Sequence, residues 1–267
     1  MRWIKELFLY LVSFIMLAPF VWLIIASFKT NRELFAEPFG LPENWMFDNY
    51  IAVMTRHPVT TYFLNSVIVS VVSTLLALLL ATLASYIFTY TFRWRSYWQL
   101  LLVGGILVPT NAFMVPYYFI VKWIGFYDSL FGIALVYAGI SLPLSVLIIK
   151  NYMNTIPPEL SEAAFIDGAG VHRTFTRIIL PLSCPGVVTA SIFLMVTAWN
   201  ELMYANLLTQ SEGTRTLQVA IRFFLTTFQA NYPQAFAAMI LAIVPSIVIY
   251  ALLSEKIIGG LTAGAVK

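Results

Sequence analysis

The chain is poor in side chains that do chemistry, and those it has are unevenly placed. Of its 267 residues, 10% are charged and 60% hydrophobic. One polar stretch, "SEAAFIDGAGVHRTFTRIILPL" at Ser161–Leu182, holds Glu162, Asp167, Arg173 and Arg177 between two hydrophobic runs. Its carboxylates show no pairing that helical periodicity would turn into an acid–base dyad, so no catalytic residue is expected. The two histidines, His57 and His172, are far apart, and the single cysteine, Cys184, excludes an internal disulfide framework or a cysteine-based metal site. No lysine follows a glycine, so the G-x-x-x-x-G-K-[ST] loop that cradles nucleotide phosphates is absent. The chain is therefore expected to hold no metal or cofactor, to bind no nucleic acid and not to hydrolyse ATP itself. What remains for the polar stretch is contact with another surface or a solvated connecting loop.

The local pattern around it reads as two short helices. In "NTIPPELSEAAFIDGAG", Asn154 or Thr155 suits a cap, and Pro157 and Pro158 suit a helix start, where their missing N–H groups are not needed. Glu159 and Glu162 complement the positive end of the helix dipole. Leu160, Ala163 and Ala164 give a small-residue face that another surface can approach closely, and Gly168 and Gly170 end the helix and permit a turn. "HRTFTRIILPL" starts the second helix, with Arg173 and Arg177 as an i,i+4 basic pair. On physical grounds alone this is an amphipathic helix-turn-helix outside the bilayer, and a solvated connecting loop is the competing reading.

The elements that must position it are membrane spans. All 27 acidic and basic side chains fall outside six windows: Leu7–Phe28, His57–Phe92, Ser96–Val121, Ser129–Ile149, Ile178–Asn200 and Phe223–Ser254. Each is about 20 residues or longer, the length a helix needs to cross a roughly 30 Å hydrocarbon core. Continuous apolar runs argue against a β-barrel, whose strands alternate. A helical bundle is the other solution that satisfies every backbone group in lipid. The expected fold is thus an all-α polytopic membrane bundle of six helices in a single domain over 1–267. The first window is too long for a usual signal-peptide core and no clear A-x-A site follows, so it reads as a retained helix.

Six spans put both termini on one side. Placing that side inside gives nine Lys and Arg inside against six outside, a modest positive-inside bias whose most persuasive part is the tight Arg93-Trp94-Arg95 turn. The outer loop, about 29–56, is long and mixed in charge, enough for a small folded cap or docking surface. The inner loop, about 151–177, carries the polar stretch. Prolines 19, 109, 116, 143, 185 and 245 fall within the windows, where each removes a backbone donor and can kink its helix. They either shape packing or open the backbone onto a cavity. "LVPTNAFMVPYY" favours a cavity, because Asn111 sits in apolar surroundings between Pro109 and Pro116. Asn111, Pro116 and Asn200 are the candidate pathway residues. Glu201 closes the fifth window and reads equally as a boundary residue.

Glu162-Ala163-Ala164, then Gly168, then Ile178, Leu180 and Pro181 resemble the E-A-A–G–I-x-L-P signature of permease subunits of bacterial ABC importers, with no position missing. "IDGAG", "AWNE" at Trp199–Glu201, "SFKTNRELF" with "LPENW" and "DNY", and the ending "GGLTAGAVK" are similar to the carbohydrate-uptake branch, the maltose-type second permease. The resemblance covers nearly the whole chain. It implies a bacterial cytoplasmic-membrane protein with both termini cytoplasmic and a coupling helix between the fourth and fifth spans. Glu162 would anchor a cytoplasmic ATP-binding subunit dimer, Ala163 and Ala164 would pack against it, and Asp167, Gly168 and Gly170 would complete the coupling turn. It further implies a second homologous permease subunit, an extracytoplasmic solute-binding protein and a sugar or oligosaccharide substrate.

Other classes compete. Glycerol phosphate esters or polyamines are the main alternative substrates for the same machinery. A self-sufficient secondary transporter would need ionisable groups mid-membrane to couple ions, and the six windows have no Asp, Glu, Lys or Arg. A membrane scaffold is opposed only by the proline-broken helices and the coupling signature.

Overall fold

The computed structural model describes residues 2–227 and 231–263. The last four residues of the "GGLTAGAVK" ending, 264–267, lie outside them. Two compact units emerge: Met1–Phe63 with Thr216–Ile247, and Leu64–Arg215 with Val248–Lys267.

In the first unit, α1 (Arg2–Ser27) is an exposed apolar helix that continues through Pro19. The polar segment after it folds into α2 (Asn31–Ala36), a turn, and α3 (Asp48–Arg56). Its order comes from satisfied polar groups more than from apolar bulk. Thr30 and Glu33 form a reciprocal capping box, in which the Thr30 backbone N–H holds the Glu33 carboxyl below its ordinary pKa. Lys29 is buried and donates from Nζ to Glu37 O at 2.6 Å, while Asn49 Nδ2 donates to Ser27 O and Lys29 O. Phe28 is ringed by Trp45, Phe47 and Tyr50 at about 5 Å.

The second window becomes α4 (Val59–Ile87), one straight 29-residue helix. The third does not become one straight helix. It is α5 (Arg95–Leu107), a short 3₁₀ turn at Thr110–Phe113 and α6 (Met114–Trp123), with a bend of 100° between the two arms. Val108 is extended and Pro109 follows it, as expected of a residue before proline. The fourth window is α7 (Leu130–Met153), which runs through Pro143 unbroken. After it come α8 (Glu159–Ile166) and α9 (Val171–Thr174), a single π-helical turn at Phe175–Ile179, then α10 (Leu180–Leu182) and α11 (Cys184–Asn200). The arms on either side of Ser183 are bent by 72°, where Pro181 and Pro185 both withhold donors. α12 (Met203–Leu208), α13 (Leu217–Thr227) and α14 (Tyr232–Ala263) complete the chain.

Among the described residues, three helices are long and apolar enough to cross a membrane, or up to five if each bent pair is one span. The fold is helical throughout. In the second unit α7 is the central helix and packs on α5, α11 and α12. Gly186 lets α11 pack directly on the Tyr152 side chain of α7: a Cβ there would lie 2.5 Å from Cβ of Tyr152.

Candidate functional site

Two features of the second unit stand out. The first is α8, at the end of α7. Its start differs from the expected one: Asn154 and Thr155 finish α7 rather than cap α8, with Asn154 N–H donating to Lys150 O and Thr155 Oγ1 to Tyr152 O. Pro158 is the N-cap, and its carbonyl accepts from Ser161 and Glu162. At the far end Gly168 N–H donates to Phe165 O and Ala169 N–H to Ala164 O. This paired closure needs the left-handed backbone of Gly168, φ +78°, which a side chain would strain. Gly170 then caps α9 in an extended conformation.

α8 is fixed on one side and free on the other. Ala164 is buried and α8 packs on α9 and the π turn. That turn carries Phe175 and Ile179 into a core with Ala81, Tyr86, Val146, Ile149, Met153 and Ala190. Tyr86 locks the joint: its ring packs on Phe175 at 4.8 Å, and its hydroxyl meets that of Tyr90 and donates to Val171 O at 3.3 Å. Ala163 points outward with Glu162, so the two alanines face opposite ways. Glu162, Asp167 and Gly168 are exposed, and so are the apolar side chains of Leu160, Ile166 and Val171, with Ile166 86% exposed. Exposed apolar groups beside a carboxylate, on a rigid mount, make a surface suited to a protein partner.

The second feature is a half-open cavity of about 290 Å³ lined by α5, the 3₁₀ turn, α7, α11 and α12. Asn111 and Thr110 line it from the broken third window, Ser141 and Pro143 from α7, Phe193 and Thr197 from α11. Pro116 and Asn200 do not line it. Pro116 is exposed in the first turn of α6, and Asn200 folds its Nδ2 back onto Val196 O at 2.9 Å. Glu201, for which the sequence leaves a boundary role and a partnered one equally open, sits at the cavity wall. Its Oε2 accepts from Tyr137 Oη at 2.6 Å and from the N–H groups of Tyr204 and Ala205, so it caps α12. Tyr204 in turn donates its hydroxyl to Thr110 O at the break. Nothing in the sequence pairs these positions, because the contacts join helices 64 and 94 residues apart.

Residues 1–257 match the family of binding-protein-dependent transport system inner membrane components. The chain belongs to this family. It is a transport component rather than an enzyme, and a multi-pass membrane protein. A putative ABC transporter permease of Caldicellulosiruptor sp. (strain Rt8B.4) is 33% identical over all of both chains. The permease protein of a diacetylchitobiose uptake system of Streptomyces coelicolor is 29% identical, across 99% of this chain and 88% of its own. Among solved structures, a chain of a bacterial ABC transporter for import of the acidic polysaccharide alginate superposes with a TM-score of 0.82 at 20% identity, covering 94% of each chain. That likeness shows that the two chains share a fold.

Proposed function

We propose that this transport component is a permease subunit of an ABC importer for a sugar or oligosaccharide, and that α8 is its coupling helix. The observation that carries the proposal is the mounting of α8: one face is bound into the ends of α4, α7 and α11 through Tyr86, Phe175 and Ile179, while Glu162, Ala163 and Ile166 stay exposed. A push on the free face is transmitted to three spanning helices at once, because a packed core is stiff. The chain has no phosphate loop, so the push comes from ATP closing a dimer of partner ATP-binding subunits. Glu162 is the polar anchor, Ala163 the close-approach point, and Asp167, Gly168 and Gly170 hold the turn.

The 1–267 chain then works as one transmembrane domain of six spans, the bent pairs counting as one span each and α14 as the sixth. Both termini and α8 face the cytoplasm, and the folded 29–56 segment faces the solute-binding protein. A second homologous permease completes the pathway. The cavity beside Asn111 supports a polar route through the subunit: Asn111, Thr197 and Glu201 offer hydrogen-bond donors and acceptors, and the exposed ring of Phe193 offers a face for a sugar ring. The names of relatives that take up diacetylchitobiose and starch degradation products favour a saccharide over a phosphate ester or polyamine.

The test is association. Glu162→Lys and Gly168→Pro are expected to insert in the membrane normally and to lose the ATP-binding subunit in pull-downs from solubilised membranes. Undiminished association in both variants would remove α8 from the contact.

A further inference from the structure

At the same end of α7 as α8, a second group of polar side chains has no assigned use. Arg95 is the first residue of α5, and Lys150 lies in the last turn of α7, the helix on which α5 packs. The two cations are near enough to feel each other's charge, and Arg95 Nε has no hydrogen-bond partner among the described residues. Arg95 Nε and, one turn on, Gln99 Nε2 are buried donors with no acceptor. Such donors lose their hydration without recompense unless a ligand supplies oxygen. The first turn of α5 holds no acidic residue, so its free N–H groups add to the positive field.

The surroundings identify the ligand. Gln99 and Lys150 line a narrow cleft with Phe88, Leu102, Val146 and Leu147, a strip of apolar wall running along the spanning helices. Trp94, Tyr97 and Trp98 are exposed beside it, the residue types that sit at the headgroup level of a bilayer. We propose that Arg95, Gln99 and Lys150 bind the headgroup phosphate of an anionic phospholipid whose acyl chain lies along the open apolar wall at the mouth of the cleft, which at about 20 Å³ does not enclose it. A free phosphate shares the headgroup chemistry but has nothing to lay along that wall. The inference rests on the membrane placement proposed above and is independent of the coupling role of α8.

Native mass spectrometry of the full chain, delipidated in detergent, tests it. The probes are palmitoyl-oleoyl phosphatidylglycerol, phosphatidylcholine with the same chains, and inorganic phosphate. Wild type is expected to prefer phosphatidylglycerol. Arg95→Gln or Lys150→Gln should each weaken that binding about fivefold, the usual worth of one basic side chain at a membrane surface, and should weaken phosphatidylcholine binding less, because its choline cation offsets the same phosphate. Gln99→Leu keeps both charges and should weaken it too, whereas Lys122→Gln should not. Inorganic phosphate should fail to displace the lipid. The proposal is overturned if wild type shows no preference, if the Arg95→Gln/Lys150→Gln double variant keeps it, or if inorganic phosphate displaces the lipid. It is equally overturned if that double variant binds phosphatidylglycerol normally but no longer retains the ATP-binding subunit, because the cations then serve a protein neighbour. None of these outcomes touches the test of Glu162 and Gly168.

Discussion

Asp128 shows what one carboxylate can do in a chain this apolar. It stands in the turn before α7 with φ +56°, a left-handed conformation that Asp and Asn tolerate. It accepts from the N–H groups of Gln210 and Ser211 at 2.8 and 3.1 Å and from Thr214 Oγ1 at 2.5 Å, tying two distant loops together. Partial burial pushes its carboxyl up, but these hydrogen bonds outweigh that and hold it down at about 2, from an ordinary 3.8. A folded-state pKa below the unfolded one stabilises at pH above about 4 and is lost as pH falls toward 2. Solvent screening limits the effect to about 1 kcal/mol. Asp128→Asn keeps the backbone conformation and removes the charge. It should lower the detergent-solubilised Tm at pH 7, and the gap to wild type should narrow between pH 5 and pH 3. A gap independent of pH would contradict the assignment. Glu201 is the counterpart at the cavity wall, where Tyr137 and two backbone N–H groups hold it. The partners that matter most are invisible in the sequence because they are distant in it: Tyr137 for Glu201, and the 210–214 loop for Asp128.

Among elements, the runs of uncharged residues marked the helices well, because burying an ionised group in lipid is costly enough to keep charges at span ends. Proline marked the breaks poorly. Pro19, Pro143 and Pro245 sit inside continuous helices, while Pro109 and the pair Pro181 and Pro185 lie at bends of 100° and 72°. What differs is whether neighbours re-satisfy the freed backbone groups, a property of packing and not of local sequence. The paired glycine and alanine residues of the helix-turn-helix were legible, since a left-handed helix end favours glycine. The opposite facing of Ala163 and Ala164 was not, because it depends on how α8 docks. Close helix approach gives a further prediction. Gly186→Val would drive a side chain into Tyr152 and should destabilise the chain by about 1–3 kcal/mol. Gly104→Ala, where a Cβ meets nothing within 4 Å, should be neutral or stabilising. Denaturation in detergent compares the two, and equal stability of both variants would contradict the close α7–α11 contact.

At the scale of the whole molecule, the proposed coupling needs a handle joined to a cavity. The second unit joins an exposed helix, α8, to a core shared by α4, α7 and α11, and the same helices α7 and α11 line the cavity that holds Asn111 and Glu201. In the proposed coupling, force on α8 would reach the cavity through these packed side chains. The most direct measurement reconstitutes the full importer in proteoliposomes and records ATP hydrolysis and uptake of the cognate solute together, for wild type and for Tyr86→Ala, which keeps the exposed face of α8 but removes the ring packed on Phe175 and the hydroxyl bonded to Val171 O. The account predicts that this variant still binds and supports hydrolysis by the ATP-binding subunits while uptake per ATP falls by about tenfold, the equivalent of roughly 1.4 kcal/mol of lost coupling. Wild-type uptake per ATP in Tyr86→Ala would contradict it.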